Sequence, residues 1–223
     1  MAMNITKEEV MRITGQGGVV VVIRLDDLSQ AANLTRTLLD AGITSLEFTM
    51  TNPLALKVLT EIKQTFPEFE QGQAVIGAGT VLTPEDARFA LAAGAQFVVT
   101  PVTNFETIKV CNDRQVAIMP GALTPTEILA AWNAGASAIK VFPARAFGPG
   151  YFKDLREPLP QLKLLPTGGV SLENTAQFIE NGAIAVGVGG NLVDKNLIAA
   201  GDWTAIRQKA AAYLEQVRIG RNV

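Results

Sequence analysis

The chain alternates between short runs of apolar residues and longer segments whose apolar positions recur at helical spacing. Eight short runs stand out: Val19–Arg24, Ser45–Thr49, Ala74–Ala78, Gln96–Thr100, Val116–Pro120, Ala138–Phe142, Lys163–Pro166 and Ile184–Val188. They are apolar almost throughout instead of alternating with polar residues, which is the pattern of parallel strands covered on both faces. Start signals for helices lie between them. Thr83-Pro84-Glu85 and Thr124-Pro125-Thr126-Glu127 each supply a cap, a first-turn proline and an acid, and Ser171-Leu172-Glu173-Asn174 opens another helix. Ala41-Gly42, Ala93-Gly94, Ala134-Gly135 and Asn181-Gly182 end helices, and the next apolar run follows within a few residues. The repeating unit is helix, glycine, short loop, strand.

Strands alternating with helices in this way fit two α/β folds, a closed (β/α)8 TIM barrel and an open doubly wound sheet. The barrel is favoured on two counts. No GxGxxG fingerprint follows the first strand. Polar and glycine residues also recur at the C-terminal ends of many different strands, where a barrel assembles its site. Residues 4–15 predict an extra N-terminal helix ahead of the first strand. No linker rich in Pro, Gly or Ser appears, so residues 1–223 read as a single barrel domain, within the ~200–250 residues such barrels commonly span.

Composition narrows the chemistry. A net charge of -2 with no polybasic cluster gives no nucleic-acid footprint. No apolar stretch reaches the ~20 residues that span a bilayer, and the opening MAMNITKEEV lacks the pattern of a signal peptide. The single cysteine, Cys111, has no internal disulfide partner, which makes a reduced cytoplasmic compartment the default expectation. Histidine is absent. That removes a Ser-His-Asp triad, a histidine base, the usual partner of a cysteine nucleophile and the usual His/Cys zinc site. Any enzyme built on this chain must work with Lys, Glu, Asp, Arg, Tyr and the backbone.

Lys140 is the most informative of these. It stands inside Ala138-Ile139-Lys140-Val141-Phe142-Pro143. A lysine within an apolar strand is costly unless it faces a polar site. Burial favours the neutral amine, which is the form that attacks a carbonyl to make a Schiff base. A lysine pointing outward or paired to a carboxylate fits the position equally well. Glu47 occupies the same kind of place in the second run and needs a cationic or hydrogen-bonding partner, for which Lys140 and Arg24 are candidates. It reads either as half of a structural ion pair or as a general acid/base. Gly77-Ala78-Gly79-Thr80 offers amides and a hydroxyl for a carboxylate. Pro166-Thr167-Gly168-Gly169 and Val188-Gly189-Gly190-Asn191 close two adjacent strands, where barrels often bind phosphate.

These motifs, with Leu46-Glu47-Phe48-Thr49 and Met119-Pro120-Gly121, resemble the 2-keto-3-deoxy-6-phosphogluconate (KDPG) and 4-hydroxy-2-oxoglutarate aldolases from Arg24 to about Val193. The resemblance implies a homotrimeric lyase without cofactor or metal. It implies that Lys140 forms the Schiff base, Glu47 shuttles protons, Thr80 helps hold the pyruvate carboxylate and Phe142 packs beside the imine. Arg24 and Pro101 join the substrate-binding set, and Thr167, Gly168, Gly169, Gly189 and Gly190 line the distal or phosphate end. The implied reaction cleaves a 2-keto-3-deoxy-6-phospho sugar acid to pyruvate and glyceraldehyde 3-phosphate, or 4-hydroxy-2-oxoglutarate to pyruvate and glyoxylate. Two departures bear on the substrate. Thr51 stands where several members carry an arginine, a charge that Arg24 can replace, and Gly190 stands where many carry a serine. Segment Ala144–Tyr151 also resembles loops of 6-phosphogalactonate-type aldolases. Two readings outside the family compete: another phosphate-binding barrel enzyme using Lys140 as an electrostatic group, and a non-catalytic keto-acid-binding module.

Overall fold

The computed structural model describes residues 5–222. Asn4, the first residue of the expected N-terminal helix, lies outside them, as do Met1–Met3 and Val223 of the expected 1–223 domain. The chain begins with α1 (Lys7–Gly17), β1 (Val19–Ile23), α2 (Ala31–Asp40), β2 (Ser45–Thr49), α3 (Ala55–Thr65) and β3 (Val75–Gly79). It continues through α4 (Pro84–Ala92), β4 (Phe97–Val99), α5 (Phe105–Asp113), β5 (Ala117–Met119), β6 (Gly121–Ala122), α6 (Pro125–Asn133) and β7 (Ile139–Val141). A 3₁₀ turn at Ala144–Ala146 precedes α7 (Gly150–Arg156), β8 (Leu164–Pro166), α8 (Leu172–Glu180), β9 (Val186–Val188), α9 (Lys195–Ala200) and α10 (Trp203–Arg221). No described helix is long and apolar enough to cross a membrane.

Local signals act where the sequence places them. Thr83 and Asp86 form a reciprocal capping box at α4, as do Thr124 and Glu127 at α6. At α8, Asn174 Oδ1 accepts from Ser171 N at 2.8 Å. The four glycines expected to end helices, Gly42, Gly94, Gly135 and Gly182, all have φ between 91° and 96°. Helix α1 starts later than expected because Thr6 is its cap, accepting from Glu9 N, and it runs on to Gly17.

The architecture is α/β with parallel strands, in the order β5-β4-β3-β2-β1-β9 in one sheet and β6-β7-β8 in another. The strands therefore pair in two ladders and not in one continuous one, for two local reasons. Pro120, the last residue of the fifth run, has no N–H to donate and separates β5 from β6, which lies beyond the run, although its carbonyl still accepts from Lys140 N at 2.9 Å. Between β8 and β9 the pairing is reduced to two isolated parallel bridges, Leu164↔Ala183 and Thr167↔Gly187. Several strands are also shorter than the runs that foretold them. Arg24, Thr100 and Phe142 lie just past the ends of their strands, although Thr100 N and Phe142 N still donate to Met119 O and Ala122 O.

Successive residues of β1 divide between two apolar clusters. Val19, Val21 and Ile23 pack outward against the helices. Val20 packs inward with Val75, Phe97, Met119, Ala138 and Leu165, residues contributed by or flanking strands of both sheets. Val10, Met11 and Ile13 of α1 belong to this inner cluster, so the first helix plugs the N-terminal ends of the strands. Burying each such side chain contributes roughly 1.5–3 kcal/mol. The C-terminal ends are left to carry polar groups.

Candidate active site

Glu47 is the third residue of β2, paired in register with Val22 on one side and Gly77 on the other. It is 2% exposed. Gly79 makes the space for it, since a Cβ there would lie 1.8 Å from Glu47 Oε1. That oxygen is buried without a hydrogen-bond partner. Leaving a buried acceptor unpaired costs on the order of 1–3 kcal/mol. Burial pushes the Glu47 pKa up, against the opposing pull of the nearby Lys140 and Arg24 charges. The group is thereby suited to holding and giving up a proton.

Lys140 is the middle residue of β7 and is 3% exposed. Its register neighbours are Gly121 and Leu165. Nζ lies 5.1 Å from the centroid of the Phe142 ring, within the reach of a cation–π contact. Among the described residues it joins no ion pair within 4.0 Å. Such pairs lie on the surface, as in Lys109–Asp113 and Lys57–Glu61.

Beside these groups a cavity of about 480 Å³ opens at the C-terminal ends of β1, β7, β8 and β9. Its walls include Arg24, Phe142, Arg145, Thr167 and the pairs Gly168-Gly169 and Gly189-Gly190. Gly168 and Gly169 take φ of 83° and 93°, a left-handed conformation that presents backbone to the cavity without a Cβ. Thr167 is buried with its hydroxyl unpartnered, and Gly187 leaves it room. Asn191 Nδ2 donates to Val170 O at 2.7 Å and ties the loops after β8 and β9 together. A second cavity of about 440 Å³ lies on the other side of Phe142, lined by Pro101, Val102, Phe105, Gly121 and Leu123 among others.

The sequence-predicted residues therefore fall into groups. Arg24, Phe142, Thr167, Gly168, Gly169, Gly189 and Gly190 share one cavity. Glu47 feels Lys140 and Arg24 electrostatically, and Lys140 faces Phe142. Pro101 belongs to the second cavity and meets the first only through Phe142. Thr80 follows Gly79 with φ 57°, which for a β-branched residue is strained by on the order of 1–3 kcal/mol; it lines neither cavity. Thr51 is held in a hydroxyl pair with Thr49 at 2.9 Å and carries no charge into the site. Arg145 and Asn191 were not anticipated. The available signal for Arg145 was a basic residue just past the lysine strand, and for Asn191 its place at the end of the Val188–Asn191 run. Cys111 is buried in α5, where burial pushes its thiol up to about 12 and leaves it inert.

The family model described as "Aldolase: KDPG and KHG aldolase" matches residues 10–209. The chain is 34% identical over 202 residues to a 2-dehydro-3-deoxy-phosphogluconate aldolase of Treponema pallidum, covering 90% of this chain and 94% of that protein. It is 35% identical over 181 residues to a 2-dehydro-3-deoxy-6-phosphogalactonate aldolase of Escherichia coli, covering 81% and 84%. A crystal structure of KDPG aldolase from Legionella pneumophila, with pyruvate captured at low pH as a covalent carbinolamine intermediate, matches with a TM-score of 0.83 and 30% identity over 91% of this chain and 97% of that one.

Proposed function

The chain belongs to the KDPG and KHG aldolase family, whose members are lyases, and from that premise we propose that it is a class I aldolase with Lys140 as its nucleophile and Glu47 as its proton shuttle. The Lys140 amine attacks the C2 carbonyl of the keto acid, and loss of water gives a cationic imine. The Glu47 carboxylate takes the proton of the C4 hydroxyl. The C3–C4 bond breaks, its electrons pass to the imine nitrogen, the aldehyde leaves and an enamine remains. Glu47 returns its proton to C3, and water then adds to the imine to release pyruvate and the free amine. Lys140 supplies the electron sink itself, so no cofactor or metal is required.

The observation that carries this reading is the pair of buried charged groups at the strand ends, with Glu47 Oε1 unpartnered and Lys140 in no ion pair among the described residues. A buried pair kept for stability would be expected in direct contact and fully hydrogen-bonded. The substrates proposed are the 2-keto-3-deoxy-6-phospho sugar acids, giving pyruvate and glyceraldehyde 3-phosphate, and 4-hydroxy-2-oxoglutarate, giving pyruvate and glyoxylate. The galactonate-derived epimer is the second reading, favoured by the Escherichia coli relative.

The same reading treats the two sheets as arcs of one (β/α)8 barrel and residues 1–223 as one domain. The bridges between β8 and β9 and the inner cluster shared by both sheets support it. Exposed Leu82, Phe89, Val102 and Phe105, each at least half exposed, support a homotrimer in which subunits cover them. A single buried thiol fits a reduced cytoplasmic setting. A coupled assay for pyruvate release tests the function. The account expects turnover of at least one of the gluconate-derived, galactonate-derived and 4-hydroxy-2-oxoglutarate substrates, undiminished by a chelator. Folded protein that releases pyruvate from none of them would sink it.

A further inference from the structure

The strand-end cavity is lined by two guanidinium groups and by no carboxylate. Neither Arg24 nor Arg145 has a carboxylate within 4.0 Å among the described residues, whereas Arg36, Arg207 and Arg218 all do. The two charges serve different parts of the cavity. Arg24 lies at the end of β1, and its field acts on Glu47 together with that of Lys140. Arg145 belongs to the glycine-rich wall.

The backbone fixes Arg145 against that wall. Ala144 N donates to Thr167 O at 2.8 Å and Arg145 N to Gly168 O at 2.9 Å, which extends the pairing of β7 with β8 into the turn. A Cβ on Gly169 would meet the Arg145 Cβ at 2.5 Å, so the two segments are in direct contact. The Arg145 side chain is exposed and makes no hydrogen bond to the protein among the described residues. Beside it, the N–H groups of Gly169 and Gly190 donate to no backbone carbonyl, and the space around Gly190 is open to 4 Å. The glycine amides and a planar guanidinium fork together match a phosphate dianion.

We infer that Arg145 is the specificity-determining contact of this cavity: it binds the distal phosphate of the keto acid and supplies the charge that makes the chain prefer a phosphorylated substrate to its unphosphorylated counterpart. The inference rests on the aldolase reading. It places Arg24 at the reacting end and Arg145 at the far end, with Gly190 opening the space between the amides and the guanidinium.

The test compares the whole chain with Arg145→Gln and Arg145→Lys on a 2-keto-3-deoxy-6-phospho sugar acid and on the same acid without phosphate. Arg145→Gln should raise KM for the phosphorylated acid about 10–100-fold with kcat little changed, from the loss of charge-assisted hydrogen bonds. The preference for phosphorylated substrate should fall by the same factor, and Arg145→Lys should recover part of it. Calorimetric titration with inorganic phosphate needs no turnover and should show weaker binding to Arg145→Gln than to wild type. Equal losses on both acids, or unchanged KM and unchanged phosphate binding, would overturn the role of Arg145. Wild-type protein that releases no pyruvate would fail the aldolase reading instead, and the phosphate titration would still decide whether Arg145 binds the anion.

Discussion

The two ends of the inward-facing strand surface are buried to almost the same degree and could hardly differ more in content. At the N-terminal end Val20, Val75 and Phe97 pack against Val10, Met11 and Ile13 of α1. At the C-terminal end Glu47, Lys140 and Thr167 are 2%, 3% and 8% exposed. In the first region apolar atoms meet apolar atoms. In the second, Glu47 Oε1 and Thr167 Oγ1 have no partner, and glycines stand wherever a side chain would press on them, at Gly79 and Gly187. Burial alone therefore does not distinguish core from site; what differs is that the buried side chains named at the C-terminal end are charged or polar and those named at the other end are apolar. One helix plug makes this division possible, because it closes the apolar end and leaves the other for chemistry.

Substitutions can break that contrast. The largest effect is expected from Lys140→Ala, which removes the nucleophile and should lower turnover by roughly 10⁴-fold or more. The kcat of the folded variant measures it. Glu47→Gln comes next, with an expected loss of about 10²–10⁴-fold in kcat. Burial holds the Glu47 pKa above its ordinary value of 4.5, so in that interval the folded chain keeps a proton that the unfolded chain has released. Stability accordingly falls as pH rises through the interval. Glu47→Gln should raise the thermal midpoint at neutral pH, and the gain should fade as pH falls through that interval, leaving none below 4.5. Melting curves across pH would show it; a gain that grows on acidification would contradict the assignment.

The opposite behaviour is expected at the plugged end. Phe97→Ala should cost about 3–5 kcal/mol of stability, read by denaturant titration, while kcat of the folded fraction stays near wild type. The smallest effect belongs to the surface. Thr124→Ala removes one half of the α6 capping box and should cost about 1 kcal/mol without altering KM or kcat.

These two regions were not equally legible beforehand. The strands announced themselves because their runs are apolar on both faces, and Lys140 and Glu47 stood out because a charge inside such a run is anomalous. Strand ends are less legible, since nothing local marks that Arg24 or Phe142 falls outside its strand. Pro120 was visible, but whether a missing N–H ends a strand or divides it depends on the neighbouring strand. Gly79 and Arg145 are harder to place for a related reason. Their roles arise from approach across the fold, Gly79 to Glu47 and Arg145 to Gly169, and an exposed arginine in a loop carries no periodic signal. The strand-end position of Thr80 offers its hydroxyl to a carboxylate, but nothing local in the sequence marks its left-handed backbone.

The central claim is that Lys140 is a nucleophile and not a structural cation. Incubation with pyruvate and sodium borohydride, followed by peptide mass mapping, tests it most directly, because only an imine is reduced to a stable adduct. The account predicts a pyruvate adduct on Lys140 and on no other lysine, absent when pyruvate or borohydride is omitted and absent in Lys140→Ala. Wild-type protein that remains unmodified, or an adduct carried by a different lysine, would contradict it.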